Sequence, residues 1–224
     1  MFAVVLAGGE NRRLPVTKGL IDLGGRKIIE SILDRMGAFF DKLAISTNEP
    51  EKYYYLGVPL IGDVYPVRGP MTGIFSALSW GEAARPGGSI GAAEDAFFAF
   101  FVACDMPFIK SGLIARMIER KNEITGSPGE WDVLAPIWQG RPEPLFSFYR
   151  ASCLEKMEKN ILAGSKRNDL SLRRFLEKTV TARYLDEKEV KEIDPGGRSF
   201  ININTEDELK NFCGTVAAPN FYRT

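Results

Sequence analysis

The amino-acid sequence predicts a single three-layer α/β/α domain with a mainly parallel sheet. Short apolar stretches alternate along the chain with stretches that carry apolar residues at helical spacing, and this alternation is typical of parallel, doubly wound sheets. Several strand-like stretches are continuously apolar, as expected of strands covered on both faces. The length of 224 residues and the hydrophobic content of 45% suit one globular domain, which we place at residues 1–213, with a C-terminal tail at 214–224.

The predicted elements follow one another mostly in βα order. Strands are expected at 2–6, 43–47, 58–61, 97–103, 133–136, 144–149 and 199–203. Helices are expected at 27–39, 72–81, 111–121, 151–162 and 170–177. Ligands of such a sheet bind beyond the carboxyl ends of the strands, so functional residues are expected where the strands end.

Composition excludes several kinds of chemistry. The chain contains no histidine, which rules out Ser-His-Asp and Cys-His catalysis and His-ligated zinc. A bound metal would be held mainly by carboxylates, and this favours a hard cation such as Mg²⁺. Basic and acidic residues number 29 each, so the net charge predicts no general attraction to nucleic acid.

The cysteines predict a cytoplasmic protein. Cys104, Cys153 and Cys213 are odd in number and far apart, without a Cys-x-x-Cys pair, as expected of reduced thiols. The longest apolar run, 96–104, is too short to cross a bilayer. We therefore expect no membrane partner.

The first predicted strand leads into a glycine-rich, basic turn. Gly8 and Gly9 lack a Cβ, so their backbone N–H groups can approach phosphate oxygens, and Arg12, Arg13 and Lys18 add positive charge. An ordinary βα turn with exposed basic residues is the alternative. The spacing differs from that of a P-loop and of a dinucleotide-binding turn, which argues against an ATPase or a dehydrogenase.

Polar residues follow three further strands. Asp63 and Asp105 come after the strands that end at 61 and 103, and 46–48 contains Ser46 and Asn48. Asp105 follows a long apolar strand, so its carboxylate is expected to be ionised in a crevice or paired. We interpret it as a metal ligand; the alternative is an N-cap for the next helix. The basic pairs at 166–167 and 173–174 suit either an anionic substrate or a solvated helix face.

Six short motifs connect these residues to a known family. They are Leu6-Ala7-Gly8-Gly9 through Lys18, Gly62-Asp63, 69–73, 104–108, Arg141 with 144–146, and 202–209. In this order they resemble the molybdenum cofactor guanylyltransferases of the nucleotidyltransferase superfamily. The resemblance covers residues 2–209 and implies a Rossmann-like nucleotidyltransferase sheet. It also implies an enzyme that transfers GMP from GTP to the terminal phosphate of molybdopterin and releases pyrophosphate, with molybdoenzyme maturation proteins as further partners.

The resemblance also implies roles for individual residues. Leu6, Ala7, Gly8 and Gly9 would contact the guanine nucleotide with Ser46 or Asn48, Asp63 would contact the nucleotide, Lys18 the phosphates, and Asp105 the Mg²⁺. Arg13 would join Lys18 in stabilising charge on the transferred group. Asn202 and Asn204 match the C-terminal motif and would complete the metal or pterin site.

Two other functions stay open. The stretch 12–18 is similar to that of sugar-nucleotide enzymes, which leaves open another nucleotidyltransferase with a sugar-1-phosphate or similar acceptor, or with CTP as donor. A non-catalytic nucleotide-binding module is the third possibility. It would bind GTP with Mg²⁺ but release no pyrophosphate.

Overall fold

The computed structural model describes residues 1–8, 17–85, 97–125, 131–163 and 171–203. These residues form one sheet between two layers of helices. The predicted three-layer α/β architecture is therefore confirmed. The predicted domain boundary at 213 and 214 lies outside the described residues.

The described strands build one sheet of mixed direction. They are β1 (Phe2–Leu6), β2 (Lys42–Ser46), β3 (Leu60–Ile61), β4 (Phe98–Ala103), β5 (Val133–Trp138), β6 (Arg141–Pro142), β7 (Phe146–Arg150) and β8 (Ala182–Leu185). Their order is β3-β2-β1-β4-β7-β5-β6, and β8 pairs with β5. The four strands β3, β2, β1 and β4 are parallel, and β7 runs antiparallel to β4 and β5.

Helices cover both faces of this sheet. They are α1 (Ile28–Gly37), α2 (Pro70–Ala83), α3 (Ser111–Thr125), α4 (Leu154–Ala163), α5 (Leu172–Lys178) and α6 (Glu187–Ile193). Alternate residues of β1 divide between the two cores: Ala3 and Val5 pack with α1, α3 and α6, whereas Val4 and Leu6 pack with α2, α4 and α5. Burial on both faces explains why the central strands are continuously apolar.

The strand predicted at 199–203 is wrong. Arg198–Phe200 forms a 3-10 helix, and 201–203 pairs with no described strand. Phe200 packs against Trp138 and Phe146, and Ile203 is fully buried. The alternation of apolar and polar residues therefore reflects two side chains anchored in the core of the α1 side.

Three described elements of the second half were not predicted: β6, β8 and α6. Of these, α6 carries the clearest sequence signal. The helix begins with a capping box: Asp186 accepts from the backbone N–H of Glu189, whose carboxylate accepts from the N–H of Asp186. An acidic residue followed three positions later by glutamate is a sequence signal for such a start. In the described ranges, no helix is both long enough and apolar enough to cross a membrane.

Candidate active site

Hydrogen bonds beyond the strands bring the ends of β1 to β4 together. The N–H of Ala7 donates to the carbonyl of Ser46 at 2.9 Å, and that of Thr47 donates to Ile61 at 2.8 Å. The N–H of Cys104 donates to the carbonyl of Leu6 at 3.0 Å. Four strand ends thus form one crevice, which extends about 14 Å across the sheet at the usual strand spacing.

One end of the crevice is a cavity of about 390 Å³ that we call the Asp63 cavity. Two hydrogen bonds join Asp63 to Asn48: the Nδ2 of Asn48 donates to the Oδ2 of Asp63 at 2.7 Å, and the N–H of Asp63 donates to the Oδ1 of Asn48 at 2.8 Å. This arrangement fixes the carboxylate at the rim of the cavity. Leu6, Ala7, Gly8 and Ser46 also line it.

Burial raises the pKa of the Asp63 carboxyl above its ordinary value of 3.8. The hydrogen bond from Asn48 and the charge of Arg68 act in the opposite direction and hold that rise down. Arg68 lines the same cavity. The Asp63 cavity therefore combines one partly desolvated carboxylate with one nearby cation.

The N-terminus of α2 forms another wall of the Asp63 cavity. Gly69 precedes the helix with φ of 153°, a conformation that favours glycine, and Pro70 is its first residue. A Cβ added at Gly73 would lie 2.9 Å from the Oγ of Ser46. The absence of a side chain at Gly73 lets the helix approach the strand ends closely.

The other end of the crevice is a cavity of about 220 Å³, the Asp105 cavity. The Nζ of Lys18 lies 3.0 Å from the Oδ2 of Asp105, and their side chains are 28% and 17% exposed. Cys104 lines the cavity beside them. Burial, together with the nearby Asp105 carboxylate, raises the pKa of the Cys104 thiol to about 12, so the thiol is neutral at physiological pH and adds no negative charge.

The alternative role of Asp105 as a helix cap is wrong. Helix α3 begins at Ser111, six positions after Asp105, whereas an N-cap immediately precedes the first helical residue. The carboxylate of Asp105 is bonded instead to Lys18 across 87 positions of sequence. It is a charged group of the crevice.

The oxygens of Asp105 suit a hard divalent cation. Among the described residues no group of three or more His, Cys, Asp or Glu side chains could hold a metal ion. Mg²⁺ is commonly bound by one or two carboxylates together with substrate phosphates and water. One carboxylate beside a cavity with a lysine therefore fits a metal that arrives with a nucleotide.

The C-terminal segment lies beside the same strand end. The N–H of Ile203 donates to the carbonyl oxygen of Asp105 at 2.9 Å. Asn202, the preceding residue, is exposed and is not among the described residues that line either cavity. Asn204, the second asparagine of the motif, lies outside the described residues.

The structure brings most of the predicted site residues together. Those that line a cavity are Leu6, Ala7, Gly8, Lys18, Ser46, Asn48, Asp63 and Asp105. Gly9 and Arg13 lie outside the described residues, as does the basic pair at 166–167. The second basic pair contributes Arg173, which bonds the carboxylate of Glu143 at 3.3 Å.

Glu49 and Arg68 line the crevice but were missed in the sequence analysis. Glu49 directly follows the polar stretch 46–48 at and beyond the end of β2, and Arg68 directly precedes the glycine and proline that start α2. Their positions beside two strand ends and a helix start were the available signal. In the sequence, however, each looks the same as a charged residue of an ordinary surface loop.

Comparison with known proteins agrees with this geometry. Residues 3–183 match the family model described as the MobA-like NTP transferase domain. A probable molybdenum cofactor guanylyltransferase of Natranaerobius thermophilus is 31% identical over 93% of this chain and 92% of its own length. The molybdenum cofactor guanylyltransferase of Desulfosudis oleivorans is 31% identical over 96% of this chain and 95% of its own.

A solved structure supports the same assignment. Molybdopterin-guanine dinucleotide biosynthesis protein A from Archaeoglobus fulgidus superposes with a TM-score of 0.73 and 25% identity, covering 96% of this chain and all of that one. The family match spans most of the chain and includes the ends of β1 to β4 that form both cavities. The chain belongs to the MobA-like NTP transferase family.

Proposed function

We propose that this protein transfers GMP from GTP to the terminal phosphate of molybdopterin and releases pyrophosphate. The observation that carries the proposal is the pair of adjoining cavities on one row of strand ends. The Asp63 cavity offers hydrogen-bonding groups held in place, and the Asp105 cavity offers a cation and a metal-type carboxylate. A nucleoside triphosphate has the same division into a base and a charged phosphate chain.

The Asp63 cavity suits guanine. An ionised carboxylate is an acceptor-only group, and the Watson–Crick edge of guanine presents adjacent N–H donors. Asn48 holds Asp63 in place by one hydrogen bond to its carboxylate and one from its backbone N–H. A base that leaves such a partly buried group unpaired is rejected, because the lost hydrogen bonds are not replaced.

The Asp105 cavity suits the reacting phosphates. An oxygen of the acceptor phosphate attacks the α-phosphorus of GTP, a new P–O bond forms, and the bond to the β-phosphate oxygen breaks to release pyrophosphate. The attacking oxygen is already anionic, so this step requires no general base. Catalysis then consists mainly of aligning the reacting phosphates and neutralising their charge. Side chains other than histidine can supply both.

Asp105 is the proposed holder of Mg²⁺, and Lys18 is the proposed phosphate ligand. Bound Mg²⁺ would neutralise charge on the phosphate oxygens. In the described structure Lys18 is bonded to Asp105, so its ammonium group is already at the cavity where the phosphates are proposed to bind. Arg13, outside the described residues, is proposed to join Lys18 in stabilising charge on the transferred group.

The proposed partners are GTP, molybdopterin and the proteins that mature molybdoenzymes. The last of these follows from the proposed product alone. We place the reaction in the cytoplasm, and the free thiols of Cys104 and Cys153 support a reducing compartment.

Pyrophosphate release is the experiment that tests the proposal. Purified protein with Mg²⁺ and molybdopterin should release pyrophosphate from GTP at least about 100-fold faster than from ATP, CTP or UTP, the scale of discrimination by a hydrogen-bonding site. Preferred turnover of CTP, or of a sugar-1-phosphate acceptor, would assign the chain to another nucleotidyltransferase. Selective GTP binding without pyrophosphate release from any acceptor would favour a binding module.

A further inference from the structure

The two cavities share a short stretch of wall. The described residues that line both are Leu6, Ala7, Gly8, Glu49 and Pro70. Glu49 is the one ionisable residue among these five. An acidic residue therefore belongs to the wall that the Asp63 and Asp105 cavities share, and it is distinct from the groups already assigned to the base and the phosphates.

Local contacts hold Glu49 at this position. Its backbone N–H donates to the Oγ1 of Thr47 at 3.1 Å, at the end of β2. The Nζ of Lys52 lies 2.5 Å from the Oε1 of Glu49 and donates to the Oγ1 of Thr17 at 3.0 Å. The Oε1 of Glu49 is thus held by Lys52, while the side chain as a whole remains 43% exposed.

The chemistry of the shared wall matches a ribose. A nucleotide with its base in the Asp63 cavity and its phosphates in the Asp105 cavity must place its sugar between them. The sugar presents two hydroxyl donors. A carboxylate can accept about four hydrogen bonds, so its bond to Lys52 leaves capacity for hydroxyls, whereas the other four shared residues have only apolar side chains or none.

We propose that Glu49 selects ribonucleotides by accepting a hydrogen bond from a ribose hydroxyl of the bound nucleotide. The inference rests on the proposed function in one respect, that a nucleoside triphosphate occupies the crevice. It adds a specificity-determining residue to that function. A purely structural role of Glu49, as the partner of Lys52, would affect all nucleotides equally.

The test is calorimetric titration of the full chain with GTP, 2′-deoxy-GTP and 3′-deoxy-GTP, with Mg²⁺ and without an acceptor. The variants are Glu49→Ala and Glu49→Gln. Glu51→Ala is the matched control, because Glu51 is an exposed glutamate two positions away. It lies in the 3-10 helix Pro50–Lys52, for which Glu49 is the N-cap residue. Thermal melting of each variant reports whether it folds.

In the wild-type protein we expect GTP to bind about 10- to 100-fold more tightly than at least one deoxy analogue, the scale of one hydrogen bond to a charged group. Glu49→Ala should weaken GTP and reduce that ratio to within about 3-fold. Glu49→Gln keeps one acceptor oxygen and should give an intermediate ratio, and it decides the matter if the alanine variant fails to fold. Glu51→Ala should keep the wild-type ratio.

Two results would overturn the inference. One is a wild-type protein that binds GTP and both deoxy analogues equally. The other is a Glu49 variant that weakens all three nucleotides by the same factor, as a structural role predicts. Failure of the proposed function has a different signature, the absence of pyrophosphate release with molybdopterin, because the titration requires no turnover.

Discussion

The Asp63 and Asp105 cavities are built differently although they adjoin. In the first, Asp63 is bonded to a neutral amide, Asn48, which donates to its carboxylate and accepts from its backbone N–H. In the second, the carboxylate is bonded to a cation, Lys18, by an ion pair. An amide partner fixes direction without cancelling charge, whereas a lysine partner cancels charge without fixing direction.

This difference separates recognition from chemistry. Base recognition requires donors and acceptors that stay in place, so a short carboxylate held by a short amide is suitable. Phosphoryl transfer requires charges that can be redistributed when phosphates arrive, and a flexible lysine is suitable for that. We therefore expect substitutions in the Asp105 cavity to reduce turnover and substitutions in the Asp63 cavity to reduce selectivity.

The largest effect is expected from Asp105→Asn, which removes the charge but keeps the shape. Pyrophosphate release from GTP with molybdopterin should fall about 1000-fold across a Mg²⁺ titration, the upper range for loss of an electrostatic stabiliser. The melting temperature should change little, because a partly exposed ion pair contributes roughly 1 kcal/mol or less. Asp34→Asn, at an exposed aspartate of α1, is the matched control. Full activity of Asp105→Asn would remove the metal assignment.

Lys18→Ala should have the next largest effect. It removes the cation of the Asp105 cavity, and turnover of GTP should fall about 100-fold while the preference for GTP over ATP is kept. Steady-state kinetics with both nucleotides measure the two quantities together. Lys159→Ala removes a lysine that is 72% exposed on α4 and should be silent. Near-normal turnover of Lys18→Ala would transfer the phosphate role to Arg12 or Arg13.

Asn48→Ala should have a smaller effect, on the selectivity for GTP and not on turnover. Asp63 loses the hydrogen bond to its carboxylate and the one from its backbone N–H, so GTP affinity should fall about 10-fold while ATP affinity changes little. Thermal shift with each nucleotide measures the ratio, because a ligand stabilises the fold by mass action. The control is Asn122→Ala, at an exposed asparagine of α3. An equal loss for GTP and ATP would contradict a role in base selection.

The smallest expected effect is a pH dependence of GTP binding. Burial raises the folded-state pKa of Asp63, so its ionised form is lost at a higher pH than that of an ordinary aspartate. GTP affinity should be full above that raised pKa and fall as the pH decreases through it. Asn48→Ala removes a bond that lowers the pKa and should move the decline to higher pH. Titrations at stepped pH measure this, and a decline at the same pH in both proteins would contradict it.

Stability should respond to Asp63 in the opposite sense from a salt-bridged carboxylate. The folded state binds the proton of Asp63 more tightly than the unfolded state does, because the folded pKa is raised. Its contribution to the free energy of unfolding is therefore unfavourable above the folded pKa and is relieved as the pH falls toward the unfolded value of 3.8.

Much of the fold was readable from the sequence because its signals are local. The continuous apolar runs of β1 and β4 predicted buried strands, and the structure shows both fully or almost fully buried. The period-2 pattern at 199–203 led to a wrong strand prediction because it, too, is a local signal. Such a pattern shows which side chains are buried and not which backbone groups pair. A short 3-10 helix, Arg198–Phe200, satisfied that pattern by core packing.

The candidate site was readable only in part. Asp63 and Asp105 were found because a carboxylate after a strand has few structural reasons to be there. Glu49 and Arg68 were not found, because a charged residue in a loop looks the same in sequence whether it faces a crevice or open solvent. Their place in the cavity walls depends on where α2 and the 3-10 helix Pro50–Lys52 pack.

The sequence by itself determined the parallel core strands, the carboxylates at strand ends and the exclusion of histidine chemistry. Each of these depends on residue type and near neighbours. Only the tertiary structure decided that Lys18 pairs with Asp105, across 87 positions, and that Asn48 holds Asp63. These partners meet because the registers of β1 with β4 and of β2 with β3 bring their strand ends together. Packing of the sheet sets these registers, a property of the whole fold that no local segment encodes.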